Sequence, residues 1–335
     1  MEISEAKRRP PFCIMKPKQN YLVRIWPALK RRIRNIQELF HDRWRRHNLG
    51  LNVAHSLNEL EHLTSAQLMS VGRHEAHRIE KAFYNNGLNT KAAYYIECKN
   101  RLGQILGLLT GKHGYSMIHP VIQWMQAILD SYEDFGRLYV DVYKAPAPVF
   151  RPENFPEVLS RLRERRSCRV WASAQPSEAE LRTIARQLID AARWAPCSGN
   201  RQPWRFKIIL EKTEKQLLRG LKEPHCLAAP LLIFIGVDRS VYGALGKNEL
   251  GILIDGGAVV QQMIVAAHSL GLGTCWNHFA RDLIYARPAN PPRYRAFMKA
   301  MDIPNQIEPI AILAVGIPEY LPPTPARLNV DELLL

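Results

Sequence analysis

The sequence predicts a mixed α+β protein in which an all-helical N-terminal half precedes a domain with a central sheet. Apolar residues recur at helical spacing through the first half, whereas short apolar runs that suit buried strands alternate with helices in the second half. A proline-rich segment, which favours extended backbone, separates the two halves. We therefore expect a helical domain over 1–145, with a basic and irregular start at 1–20, a linker over 146–157 and a second domain over 158–335.

The composition is that of a foldable but strongly basic chain. Hydrophobic residues make up 47% of the 335 positions, which excludes a disordered protein, and the formal net charge is +15. Between residues 7 and 46 there are 13 Lys and Arg against 2 Asp and Glu, within a stretch whose pattern predicts an amphipathic helix. Such a surface is compatible with docking to an anionic membrane, and equally with a solvated helix face. We do not expect a nucleic-acid partner.

The cysteines indicate a reducing compartment. They are scattered and form no CxxC pair, which fits reduced thiols better than a disulfide framework or a zinc site. No apolar run reaches the length of a bilayer span, and the basic N-terminus is not followed by the apolar segment of a signal peptide. We expect a cytoplasmic protein, and the basic stretch at 7–46 is compatible with peripheral docking to the inner face of a membrane. The six cysteines are Cys13, Cys98, Cys168, Cys197, Cys226 and Cys275.

Two polar patterns stand out in the helical half. Thr64 and Gln67 form a capping box that predicts a helix to about residue 83. Inside this helix, His74, His77 and Glu80 share one face, but the spacing is HExH and not the HExxH of zinc proteases. We interpret the run as a hydrogen-bond cluster and predict no metal site. Further helices are predicted over 91–109 and 117–139.

The second half shows clear helix and strand signals. Ser177 and Glu180 form another capping box, and the helix after them carries one apolar stripe and ends before Pro196. The stretch from Ile252 to Leu270 is apolar on nearly every side and predicts a buried helix. Strands are predicted over 205–210, 231–237, 271–276 and 310–316.

Five blocks of the second half, in this order, resemble the nitroreductase family of flavin enzymes. The resemblance covers about 160–330 and implies a central mixed sheet flanked by helices. The helical half, with HRIEK at 77–81, resembles extensions on some nitroreductase-like proteins found with bacterial polysaccharide genes. The five blocks are RRSCR (165–169), AARWAPCSGNRQPWRF (191–206), APLLIFIGV (229–237), DGGAVVQQMIVAAHSLGLGTCW (255–276) and AILAVGIPE with PARLN (311–319, 325–329).

The resemblance implies an FMN-dependent oxidoreductase that works as a homodimer, with the flavin at the subunit interface. NAD(P)H is the implied electron donor, and hydride passes in ping-pong fashion through flavin N5 to an electron-poor acceptor that the sequence does not identify. Two other functions stay open. One is a specialised biosynthetic flavoenzyme acting on a pathway intermediate, for example of polysaccharide synthesis. The other is a non-catalytic flavin-binding protein docked by its basic N-terminus.

A cluster of basic and hydroxyl side chains matches the family's site for the FMN phosphate. Charge-assisted bonds from arginine suit a phosphate dianion, and a serine hydroxyl suits the ribityl oxygens. The matching residues are Arg165, Arg166, Ser167, Arg169 and, near the C-terminus, Arg327.

Two further segments match flavin-contacting parts of the family. The first is a turn that reaches the flavin of the other subunit, and Cys197 in it replaces the usual serine. The second lies along the flavin ring, where the backbone N–H of Asn277 would point at N5 and His278 would supply a proton, although a surface histidine is an equally good interpretation. The residues concerned are Pro196, Cys197, Ser198, Asn200 and Gln202, and then Thr274, Trp276, Asn277 and His278.

One departure from the family concerns the cover of the flavin. Only about 14 residues separate the strand at 231–237 from the helix at 252–270, where many relatives carry a longer helical excursion. We expect the N-terminal helices to supply this cover and to shape the substrate pocket beside Trp276.

Overall fold

The computed structural model describes residues 55–84, 89–242, 249–279 and 291–335. The basic stretch at 7–46 and the helix predicted there lie outside the described residues. The α+β class is confirmed by the elements found. The helices are α1 (Leu57–Leu60), α2 (Ser65–Tyr84), α3 (Ala93–Gly107), α4 (Pro120–Asp130), α5 (Arg137–Tyr143), α6 (Phe155–Glu164), α7 (Glu178–Ala192), α8 (Lys212–Gln216), α9 (Pro224–Leu227), α10 (Glu249–Ser269) and α11 (Pro291–Ala300), and the strands are β1 (Trp204–Ile209), β2 (Leu231–Asp238), β3 (Gly273–His278) and β4 (Ile307–Gly316).

Both capping boxes predicted from the sequence are present. The Gln67 amide donates to the Thr64 hydroxyl at 3.3 Å, and the Thr64 amide donates to the Gln67 side chain at 2.8 Å. The Ser177 box at the start of α7 is likewise reciprocal. These bonds satisfy amides that have no partner inside the helix, which explains why the two helix starts were predictable.

The single helix predicted over 117–139 is divided into α4 and α5. Gly136 lies between them with φ at +72°, a conformation that ends a right-handed helix. A Cβ at this position would lie 2.1 Å from the ring of Phe83, so the backbone can approach α2 only because the residue is glycine.

The sheet is four-stranded, in the order β1-β2-β4-β3, and its strands pair antiparallel throughout. The predicted central sheet is present, and no two of these four strands pair in parallel. The reason lies in the connections. Strands β2 and β3 run in the same direction, but β4 is inserted between them, so they never form a parallel ladder.

Both faces of the sheet are buried, and the alternation along β2 assigns its side chains to two cores. Leu231, Ile233 and Ile235 face the larger core, which contains α7, α10 and the N-terminal helices. Leu232 and Phe234 face a smaller core that includes residues of α11. A strand covered on both faces reads as a continuous apolar run, as the sequence shows here.

Helix α10 crosses the sheet as the predicted buried helix. At Gly256 a Cβ would lie 2.7 Å from Ile310, so glycine permits the close approach of this helix to β4. By length and mean hydropathy, Leu250–Ser269 is also the one helix of the described residues that could cross a membrane, and 50% of that stretch is buried within the fold. Packing against the sheet accounts for its apolar character.

All the described residues fall within one compact unit. The domain boundary predicted at 146–157 lies inside this unit and stays a prediction. The backbone has no regular structure over 144–151, as expected for a proline-rich segment. However, buried residues of α2 to α5 and one face of the sheet belong to a single core.

Candidate functional site

Strand β3 forms one edge of the sheet and exposes two of the predicted site residues. Trp276 is 39% exposed, and His278 is exposed on the same face because side chains alternate along a strand. Asn277 points to the opposite face and is buried, where its side-chain oxygen accepts a hydrogen bond from His225 at 3.1 Å. Helix α10 passes close to Trp276 at Gly257, where a Cβ would lie 3.9 Å from the indole.

The register of β3 decides which of its amides are free. The Phe279 amide donates to Ile310 on β4 at 2.9 Å, and antiparallel alternation directs the Asn277 amide to β4 in the same way. The N–H groups of Trp276 and His278 therefore face away from β4. This geometry favours one of these two amides, and not that of Asn277, as the group available to a ligand at the edge.

The arginine-rich segment lies directly beside β3. Ser167 forms an isolated parallel bridge with Thr274, and the Cys168 amide donates to the Thr274 carbonyl at 2.8 Å. Arg169 is exposed, and Arg165 is half-buried. The structure therefore brings the predicted phosphate residues next to the predicted flavin-ring residues, although about 110 positions separate them in the sequence.

The start of the C-terminal tail adjoins the same region. Trp171 forms a bridge with Pro318, which places the residues after β4 beside the arginine-rich segment. The Arg166 guanidinium donates to Thr324 and to the Arg165 carbonyl, so it folds back on the local backbone. Arg327, three residues beyond Thr324, is exposed, and the bond described for its guanidinium is to the neighbouring Ala326 carbonyl.

The predicted turn after α7 is tightly constrained. Gly199, Asn200 and Gln202 all have positive φ, at +62°, +53° and +48°. The Gln202 amide donates to the Cys197 sulfur at 3.3 Å, and the Gln202 side chain donates to Asn200 at 3.2 Å. Ser198 turns inward, where its amide and hydroxyl donate to Asp255 at 2.9 and 3.0 Å.

Two candidate reactive groups have pKa values that bear on their chemistry. Burial raises the pKa of the Cys197 thiol, which keeps it protonated and makes it a poor nucleophile or redox partner. Burial, followed by the nearby Lys222 ammonium, lowers the pKa of His278. The lowered pKa favours the neutral ring and makes it a weaker base than an ordinary histidine.

The histidine run of α2 does not form a shared polar face. His77 contacts Glu80 at 3.1 Å, as expected for a hydrogen-bond cluster. His74 instead enters the contact with the turn, where its Nδ1 lies 3.1 Å from the Gly199 carbonyl oxygen. In the part of the chain that the structure describes, no group of three or more His, Cys, Asp or Glu side chains could hold a metal ion.

Residues 162–224 and 212–317 match the nitroreductase family. This part of the chain belongs to that family. The match confirms the resemblance seen in the sequence, and it begins at the end of α6, so α1 to α5 lie outside it.

Individual relatives of the nitroreductase domain are distant in sequence. A protein of Archaeoglobus fulgidus is 28% identical over 169 residues, with 49% of this chain and 86% of that protein covered. One of Methanothermobacter thermautotrophicus is 25% identical over 184 residues, with 53% and 86% covered. Both are named as candidate NADH dehydrogenase/NAD(P)H nitroreductases. A crystal structure of a candidate nitroreductase from Desulfovibrio desulfuricans, in complex with FMN, is 26% identical, covers 56% of this chain and 97% of that chain, and has a TM-score of 0.44.

The nitroreductase domain makes the protein an oxidoreductase enzyme.

The sequence predicted the exposed strand edge and the arginine-rich segment, but not the buried polar groups behind the turn at 198–202. Asp255 lies inside the helix that was predicted as apolar and buried, and His74 was interpreted only as part of a hydrogen-bond cluster. A charged residue inside an apolar run was the available signal, because such a residue is buried only with hydrogen-bond partners.

Proposed function

We propose that the protein is an FMN-dependent oxidoreductase that uses NAD(P)H as its electron donor. The observation that carries this proposal is the bridge between Ser167 and Thr274, which joins a basic segment to a strand edge with an exposed aromatic residue, Trp276. When bound there, FMN would take hydride from NAD(P)H and pass it to a second, electron-poor substrate. The names of the two curated relatives support NAD(P)H as donor.

The basic segment fits the phosphate of FMN. Among the ion pairs found in the described residues, none involves Arg165, Arg166, Arg169 or Arg327. No carboxylate in these ion pairs neutralises the four guanidinium groups, so their positive charges are available to a phosphate dianion. We assign Arg165 and Arg169 to the phosphate, because the Arg166 guanidinium is already engaged with Thr324.

The strand edge fits the flavin ring. The outward N–H groups of Trp276 and His278 can donate to a ring nitrogen, and the Trp276 indole offers an apolar surface beside it. His278 lies at the same edge, where its lowered pKa favours the neutral ring. The second substrate would bind at the open side of this edge, and its identity follows from neither the sequence nor the family.

We propose a homodimer, supported by exposed apolar surface on helices α6 and α10. Helix α6 has no buried residue, and its Phe155, Val158 and Leu162 lie on one face with exposures of 61%, 53% and 45%. On α10, Leu250 and Ile254 are 55% and 59% exposed. Exposed apolar surface of this kind is typical of an interface, and a second copy of the chain would bury it.

We also propose a cytoplasmic location. Cys98, Cys168, Cys197, Cys226 and Cys275 are all free thiols in the structure, as expected in a reducing compartment.

The test is the visible spectrum of the purified full-length chain. We expect flavin absorbance that is bleached by NADPH or NADH under anaerobic conditions. Arg169→Ala should weaken FMN binding by about tenfold or more, since a charge-assisted hydrogen bond is lost, while Arg186→Ala on the exposed face of α7 should retain wild-type binding. A colourless chain that takes up no added FMN would overturn the proposal. Full FMN retention by Arg169→Ala would overturn the phosphate assignment alone.

A further inference from the structure

A buried polar network joins the N-terminal helix α2 to the turn at 198–202. Arg201 is only 5% exposed and donates from Nη2 to Nε2 of His74 at 2.8 Å. The His74 Nδ1 lies 3.1 Å from the Gly199 carbonyl oxygen. Beside it, Arg73 donates to the Arg201 carbonyl at 2.8 Å. Helix α2 lies outside the matched nitroreductase region, so these contacts link a segment outside that match with the nitroreductase domain.

The partners of His74 fix its tautomer. A guanidinium can only donate, so Nε2 must accept from Arg201 and carries no proton. A carbonyl oxygen can only accept, so Nδ1 carries the proton and donates to Gly199. The ring is thus neutral, with both nitrogens satisfied by residues of the turn.

Arg201 is held equally firmly on its other side. Its Nε donates to the Val241 carbonyl at 3.0 Å and its Nη1 donates to the Ser198 carbonyl at 2.6 Å. The guanidinium lies over the ring of Tyr242 at 5.3 Å. The Tyr242 hydroxyl donates to Asp255 at 2.6 Å, and the same carboxylate receives both bonds from Ser198.

The turn requires such support because its backbone is unusual. Asn200 and Gln202 adopt positive φ, which non-glycine residues seldom do unless their surroundings impose it. At Gly199 a Cβ would lie 2.1 Å from the His74 Nδ1, so the ring occupies the space that a side chain would need. Helix α2 and the turn are therefore shaped to each other.

We propose that His74 is a positioning residue for the flavin, which holds the turn at 198–202 in the shape that contacts FMN. This inference rests on the proposed function and on the family resemblance, which implies that the turn contacts the flavin of the other subunit. His74 acts through the Gly199 carbonyl and the Arg201 side chain, and it makes the N-terminal helices part of the cofactor site. Their role in the enzyme would then be to set the affinity and environment of FMN.

The test uses full-length wild type, His74→Asn, His74→Gln and the control His77→Gln. Asparagine places an amide nitrogen near Nδ1, so it can retain the bond to Gly199, whereas glutamine reaches the position of Nε2 and can retain the partner of Arg201. His77 lies on the same helix but contacts Glu80, away from the turn. FMN-free protein is titrated with FMN, and the visible circular dichroism of the bound flavin is recorded.

We expect both His74 variants to weaken FMN binding by about tenfold, since each leaves one buried polar group without its partner, and to change the visible dichroism of the flavin. His77→Gln should alter neither. In wild type, FMN should also increase the hydrogen-exchange protection of α2 around His74, because coupling between two sites is reciprocal. This hydrogen-exchange measurement tests the proposed role of His74 even if the His74 variants fail to fold.

The outcomes separate the two proposals. Wild type that binds no FMN overturns the proposed function together with this inference. Wild type that binds FMN, with folded His74 variants of equal affinity and unchanged dichroism, overturns the inference alone. Unchanged hydrogen-exchange protection of α2 on FMN binding would likewise overturn the inference alone.

Discussion

At the scale of the residue, buried polar side chains behind the turn at 198–202 bind one another. The Asp255 carboxylate is 1% exposed and accepts three hydrogen bonds, two from Ser198 and one from Tyr242. Burial, followed by the charge of Asp255, raises the pKa of Tyr242, so its hydroxyl remains a donor. Such a network tolerates little change, because removal of one partner leaves another group buried and unsatisfied.

His74 should make the stability of the protein depend on pH. Burial, followed by the charges of Arg201 and Arg78, lowers its pKa well below the ordinary 6.5. As the pH falls below about 6.5, His74 binds a proton in the unfolded chain but stays neutral in the native chain. The free energy of unfolding therefore decreases. For one such group the slope is at most about 1.4 kcal/mol per pH unit. Urea unfolding of wild type at pH 7.5 and 5.5 should show this loss.

His74→Asn isolates that contribution from the other histidines. The variant should be less stable than wild type at pH 7.5, but the difference should narrow at pH 5.5, because asparagine takes up no proton. Parallel pH dependences for the two proteins would contradict the assignment of a neutral, buried His74.

At the scale of the element, the sequence predicted what local chemistry decides. The Ser177 capping box located the start of α7, and apolar runs located β2, β4 and α10 close to their observed bounds. The break of the helix at Gly136 was not predicted, because glycine is required there by contact with the ring of Phe83, which is distant in the sequence. Sheet order was likewise out of reach, since a run of apolar residues does not say which strand lies beside it.

The same distinction applies to the candidate site. The arginine-rich segment and the residues of β3 were predicted individually, whereas their contact through Ser167 and Thr274 comes from the tertiary fold. Helical spacing put His74 and His77 on one face but could not show that only His74 meets the turn. The sequence thus identified groups capable of the chemistry, and the fold supplied their arrangement.

Two adjacent glycines of α10 should respond oppositely to the same change. Gly256→Ala would place a Cβ 2.7 Å from Ile310, so the helix must shift from the sheet, at a cost of about 1–3 kcal/mol. Gly257→Ala meets only the Trp276 ring, at 3.9 Å. It should therefore be neutral or stabilise the helix by up to about 1 kcal/mol.

Urea unfolding of the FMN-free protein checks this pair without involving the flavin site. Equal effects of the two substitutions would show that α10 does not approach β4 as closely as described.

At the scale of the whole molecule, the exposed apolar faces of α6 and α10 determine the expected assembly. Ile254→Glu would place a charge in the proposed interface, where its desolvation is costly, and should shift the protein from dimer toward monomer. Val142→Glu adds the same charge on α5, at a position that is 64% exposed, and should leave the mass unchanged. Light scattering coupled to size-exclusion chromatography measures both. A wild-type chain that is monomeric at micromolar concentration would refute the dimer.

The two halves of the enzyme share one hydrophobic core, which should keep them associated after the chain between them is cleaved. Val149 and Phe150, in the irregular segment between α5 and α6, are 72% and 88% exposed, so a protease could reach the backbone there. Yet the helices before this segment and the sheet after it bury side chains in one core. A single nick should therefore yield two fragments that co-purify as a native-like pair, held together without a covalent bond. A cut in this exposed segment would therefore break the chain without separating the fold.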